Sequence, residues 1–111
     1  MDQKMEIHQH LCEKMHNLYE RKNADYGDSF AQLRKRYPNF VCMRLFDKLN
    51  RLDTIIQPGY KCKVSDEKIE DTLMDIANYA IMELTERIAD RNPPISASNL
   101  YATSINTKEV R

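Results

Sequence analysis

Apolar residues return along this chain at every third or fourth position, the repeat of an α-helix packed on one side. Leu11, Met15 and Leu18, with Cys12 and Tyr19 beside them, predict a first helix from about Gln3 to Lys22. Leu45, Leu49, Leu52 and Ile56 form the stripe of a second, from about Phe40 to Ile56. Ile69, Leu73, Ile76, Ala80, Leu84 and Ile88 give the core face of a third, from about Ser65 to Ala89. Ser65 is a good N-cap there, and Asp66 and Glu67 fall in the first turn, where the helix dipole favours negative charge. No stretch alternates with the period of a strand.

The breakers fall between these stripes. The connection Asn23–Asn39 holds Asp25-Tyr26-Gly27-Asp28, in which Gly27 is suited to a positive φ and Asp28 to capping a short helix over Ser29–Arg36. Pro38 ends that piece, and Gln57-Pro58-Gly59 separates the second and third long helices. Asn92-Pro93-Pro94 stops the last helix, and the Ser-, Asn- and Thr-rich remainder reads as a tail. The expected architecture is all-α: residues 1–92 form one domain, a bundle of three long helices and one short helix, and 93–111 a polar tail. Amphipathic helices this few leave apolar surface to cover, so completion by homo-oligomerisation, a dimer or higher, is expected.

Composition narrows the partners. Seventeen basic and seventeen acidic residues cancel, so no global field draws the chain to nucleic acid or a membrane surface. No apolar run approaches membrane-spanning length, and the opening residues lack the apolar stretch of a signal peptide. Three widely spaced cysteines without a CxxC motif suit reduced thiols in a cytoplasmic protein.

Candidate chemistry lies in two stripes. Arg44, Asp47, Lys48 and Arg51 stand at i, i+3, i+4 and i+7 on the second helix and share one face. Such cations can grip phosphate oxygens, arginine with a planar fork and lysine as a point charge. The competing reading is a solvated face with internal ion pairs. Glu67, Asp71 and Asp75 stand at i, i+4 and i+8 on the third helix, and Asn78 continues their stripe. Stacked carboxylates repel one another, and magnesium is the hard cation that combines a few carboxylates with water and phosphates. Exposure to solvent is again the alternative, although Met74 and Met82 flank this face. His8, Cys12 and His16 are spaced as three zinc ligands without a fourth, and Arg34-Lys35-Arg36 reads as a solvated helix end or a helper for phosphate.

Three phrases together carry a family resemblance: Lys22-Asn-Ala-Asp-Tyr-Gly-Asp-Ser-Phe30, Arg44-Leu-Phe-Asp-Lys-Leu-Asn-Arg-Leu52, and Glu67 through Ala80. Over about residues 20–88 the chain resembles the nucleotide modification associated domain 1 family, found largely in phages and prophages. That family in turn is similar to the MazG-like all-α nucleoside triphosphate pyrophosphohydrolases. The resemblance implies an oligomeric helical bundle and a magnesium-dependent phosphohydrolase releasing pyrophosphate and a monophosphate from a nucleotide. Glu67, Asp71 and Asp75 would then be metal ligands, one of them acting as base, and Asp47 would be a further ligand from the preceding helix. Lys22, Arg44, Lys48 and Arg51 would meet phosphates, Tyr26 would stack on a base, and Asn78 would complete the substrate-binding set.

The departures define the alternative. MazG-like enzymes carry an ExxE pair on the preceding helix, where this chain offers Asp47 alone among cations, and Thr72 stands where the later ExxD motif has glutamate. Fewer carboxylates suit a non-catalytic nucleotide-binding protein, such as a phage anti-defence sponge holding a signalling nucleotide. A small interaction bundle with both stripes solvated is the third reading.

Overall fold

The computed structural model of the chain describes residues 2–26, 28–60 and 65–92, the side chains of 25, 26 and 65–67 excepted. Four helices, α1 (Gln3–Tyr26), α2 (Ser29–Arg36), α3 (Phe40–Ile55) and α4 (Ser65–Arg91), make up nearly all of it, and the fold is all-α. The tail predicted at 93–111 lies outside the described residues.

Local chemistry explains the ends. Asp2 accepts the Met5 backbone N–H at 3.0 Å and caps α1. That helix runs a turn beyond the predicted Lys22, because Asn23-Ala24-Asp25-Tyr26 contains no breaker. Asp28 adopts the left-handed region at φ 59°, which aspartate tolerates. It precedes α2 without a side-chain cap hydrogen bond, contrary to the capping role expected of it. The expected positive φ at Gly27 lies outside the described residues. Gly59 supplies the positive φ, 87°, of the turn after α3. Asn92 closes α4, its side-chain amide donating to the Ile88 carbonyl at 2.8 Å.

Helices α3 and α4 form the most extensively packed pair. Lys48 near the middle of α3 meets Asp75, while Phe40 at its start lies with Phe30 and, through it, with Tyr79 further along α4. The two helices are therefore antiparallel. Val41 and Ile55 are buried on α3, with Leu45, Lys48 and Leu52 half-buried between them; Thr72 is buried on α4, with Ile76 and Tyr79 half-buried. These positions mark the seam.

A residue one place after a seam position is rotated about 100° one way, and the residue before it about 100° the other way. In an antiparallel pair the two rotations correspond, so the residues before fall on one side and those after on the other. The preceding residues are Arg44, Asp47 and Arg51 on α3 and Asp71, Asp75 and Asn78 on α4. The following residues include Leu49, Ile56, Leu73 and Ala80, all exposed. The hairpin thus has a polar side and an apolar side. The expectation that Leu73, Ala80 and Leu84 lie in the core is corrected: the seam of α4 runs through Thr72, Ile76 and Tyr79, whereas Leu73, Ala80 and Leu84 are all exposed.

An ionic clamp fastens α2. Arg34 donates from Nε and Nη2 to the two carboxylate oxygens of Glu83 at 3.0 and 2.9 Å, and from Nη1 to Asp90 at 3.0 Å. Arg87 adds a 2.8 Å bond to Glu83. The Arg34 and Glu83 side chains are only 14% and 13% exposed, so Arg34 is not the solvated helix end that its charged neighbours suggest. Paired charges hold the Glu83 carboxyl below its ordinary range and stabilise the Arg34 guanidinium. Among the described residues no helix is long and apolar enough to cross a membrane.

Candidate functional site

The polar side of the hairpin opens into a cavity of about 270 Å³ that is also bounded by the end of α1 and by α2. Its wall includes Lys22, Asn23, Phe40, Arg44, Asp75 and Asn78. Four residues picked out in sequence on three different helices, Lys22, Arg44, Asp75 and Asn78, therefore line one cavity.

The floor is aromatic. Phe30 is buried, with its ring centroid 5.6 Å from Phe40 and 6.3 Å from Tyr79. Arg44 lies over the Phe40 ring, its guanidinium carbon 5.2 Å from the centroid. This cation–π contact orients a charge that would otherwise swing freely in water. Sequence reasoning missed the floor: Phe30, Phe40 and Tyr79 belong to no long apolar stripe, and only their nearness to Asp28, Arg44 and Asn78 in the chain marked them.

The basic and acidic stripes meet at one ion pair. Lys48 Nζ is 3.2 Å from Asp75 Oδ2, with the side chains 25% and 44% exposed. Lys48 thus lies in the seam, outside the cavity wall, and reaches it only through Asp75. Asp47, Arg51 and Asp71 lie on the same polar side, exposed and outside the cavity wall. The side chains of Tyr26 and Glu67 are outside the described residues.

The donor chemistry can be tested against magnesium. Among the described residues no three His, Cys, Asp or Glu side chains converge on one point. Magnesium, however, is ordinarily bound by one or two carboxylates together with water and substrate phosphates. Asp71 and Asp75, one turn apart and beside the Asn78 amide, fit that requirement when a phosphate completes the shell. The zinc trio does not assemble: Cys12 Sγ lies 4.0 Å from His8 Nδ1, whereas His16 turns to Glu20 at 3.3 Å.

A second cavity of about 300 Å³ lies between α1 and α4, bounded by Cys12, Met15, Tyr19, Ile81 and Thr85 among others. Asn78 and Met82 border both cavities.

Neither the curated proteins nor the solved structures contain a match to this chain. The profile of the nucleotide modification associated domain 1 family matches residues 22–86, a span that starts at the first cation of the cavity and takes in all of its described wall. On that match the chain belongs to the nucleotide modification associated domain 1 family.

Proposed function

We propose that the cavity binds the phosphate end of a nucleotide and that the chain hydrolyses it in a magnesium-dependent reaction. The observation that carries this reading is the convergence of Lys22, Arg44, Asp75 and Asn78 on one cavity from separate helices. Lys22 and Arg44 supply positive charge to phosphate oxygens, and Arg44 enters the reaction already oriented by Phe40. An incoming phosphate competes with Asp75 for the Lys48 ammonium, which adds a third cation as the Asp75 carboxylate is released. Asp71 and Asp75 would hold magnesium, which supplies charge neutralisation on the phosphates and a more acidic water. In the overall reaction water adds to the α-phosphorus, the bond from that phosphorus to the bridging oxygen breaks, and pyrophosphate leaves a nucleoside monophosphate.

The Lys48–Asp75 pair also favours a second reading. A carboxylate tied to a lysine, with only one other described carboxylate a turn away, suits a protein that holds a nucleotide without cleaving it. One experiment separates them. Binding and pyrophosphate release are measured over the common ribo- and deoxyribonucleoside triphosphates with and without magnesium. Arg44→Ala is expected to weaken binding about ten-fold, the order of one charge-assisted hydrogen bond at a partly open site. Asp75→Asn is expected to lower turnover at least about 100-fold, since metal ions supply several kcal/mol to this chemistry. Binding without turnover in the wild type establishes the sequestering protein, and absence of binding removes both readings.

We also propose that the exposed apolar side is covered by a second copy. Leu49, Leu73, Leu84 and Phe46 are 53%, 49%, 51% and 73% exposed, and only Phe30, Val41 and Ile55 form the buried apolar core of the described residues. Self-association supplies the missing layer of a bundle.

A further inference from the structure

The phosphate cavity mixes charged side chains with aromatic rings. Its three rings are engaged: Phe30 packs on both Phe40 and Tyr79, and Phe40 carries the Arg44 guanidinium. The neighbouring α1–α4 cavity differs in character. Apart from His16, which is turned to Glu20, its wall holds no charged residue, and Met15, Tyr19, Ile81 and Met82 give it an apolar surface with one half-buried aromatic ring. Cys12, Thr85 and Asn78 place a thiol, a hydroxyl and an amide at its edge. The Thr85 hydroxyl is already donated to the Ile81 carbonyl at 2.8 Å, so it offers an acceptor to a ligand.

We infer that the two cavities are halves of one site, in which the uncharged base lies in the α1–α4 cavity and the phosphates lie by Lys22 and Arg44. This inference rests on the nucleotide reading above. Two observations carry it beyond that reading: the shared border at Asn78 and Met82, and the segregation of charge, cations and carboxylate on one side and apolar wall on the other. A nucleotide has the same polarity, an anionic end joined through a sugar to a flat, weakly polar base. Asn78 at the border reaches either the sugar or the base edge, with both donor and acceptor. At about 300 Å³ the second cavity is at the lower bound of small-molecule sites and holds a base with room to spare. The substrate class is therefore a nucleotide selected by its base, as opposed to any polyphosphate.

The test compares inorganic tripolyphosphate, which needs only the phosphate half, with the nucleoside triphosphate that binds most tightly in a panel of eight common ones. Ile81→Trp is chosen to fill the base half, and Tyr19→Ala removes its ring. Each is expected to weaken nucleoside triphosphate binding about five-fold or more, the scale of one base–aromatic stack, while tripolyphosphate affinity and the helical spectrum stay as in the wild type. Arg44→Ala is expected to weaken both ligands. Wild-type nucleotide affinity retained in both Ile81→Trp and Tyr19→Ala overturns the base assignment and leaves the phosphate site standing. Equal binding of tripolyphosphate and all nucleotides by the wild type also overturns it. If neither class of ligand binds the wild type, the nucleotide reading fails and this inference with it.

Discussion

Thr72 lies in the seam between α3 and α4, 2% exposed, with its hydroxyl donating to the Lys68 carbonyl at 2.7 Å. The back-bond satisfies the one polar group it buries, and the small side chain lets the helices approach. The position cannot serve as the glutamate of an ExxD motif, because a carboxylate here would point into α3 and not into the polar side. Thr72→Val, which removes the hydroxyl together with its back-bond, is expected to change stability by no more than about 1 kcal/mol. Thr72→Glu is expected to cost about 2 kcal/mol or more, through overpacking and a buried charge. Chemical denaturation of both variants checks this; equal stability would place position 72 at the surface.

Between elements, the clamp from Arg34 to Glu83 and Asp90 joins the Phe30–Tyr79 contact in tying α2 to α4. Arg34→Ala is expected to cost about 1–3 kcal/mol, since it strands a shielded carboxylate and leaves Arg87 as its remaining partner. The pH dependence follows from the sign of the shift. Glu83 has its folded-state pKa lowered, chiefly by the Arg34 hydrogen bonds. Its stabilisation is therefore present above the ordinary glutamate pKa of about 4.3 and is lost as pH falls through the lower folded value. Glu86 is shifted upward by burial, with Asp28 adding repulsion. Stability is therefore lost as pH rises from the ordinary glutamate value to the higher folded one, and the cost is fully present above it. Melting curves between about pH 3 and 7 should show Arg34→Ala least stable relative to wild type at neutral pH, with the gap narrowing in acid. Glu86→Gln should melt above wild type at pH 7 and lose that advantage in acid. A gap for Arg34→Ala that widens in acid would contradict the assigned clamp.

For the whole molecule, the hairpin has two unlike sides: the polar side carries the cavity, and the exposed apolar side is the surface proposed for self-association. A dimer is expected in light scattering at about ten micromolar. Leu73→Lys combined with Leu84→Lys should give a monomer, because each places a charge where apolar contact is needed. The double variant should still bind tripolyphosphate, since neither residue lines the phosphate cavity. A wild type that is monomeric at that concentration would remove the cross-subunit layer.

The chain by itself determined four helices and their breaks, because helical period, caps and prolines act within a few residues of one another. The predicted ends of α2 coincide with Ser29 and Arg36, and those of α3 and α4 lie within two residues of the observed bounds. Arg44 on α3 and Asp75 with Asn78 on α4 were also legible, since residues spaced by a turn share a face in any helix, whereas Lys22 was marked only by the family resemblance. Tertiary structure alone decided which face turned inward. On α4 a stripe of leucines lost the seam to Thr72, Ile76 and Tyr79, and Lys48, legible only as a phosphate contact, became the bridge to Asp75. Periodicity ranks faces by hydrophobicity, but packing chooses the face whose shape and charge fit the neighbouring helix, and that neighbour is fixed by contacts far apart in the chain.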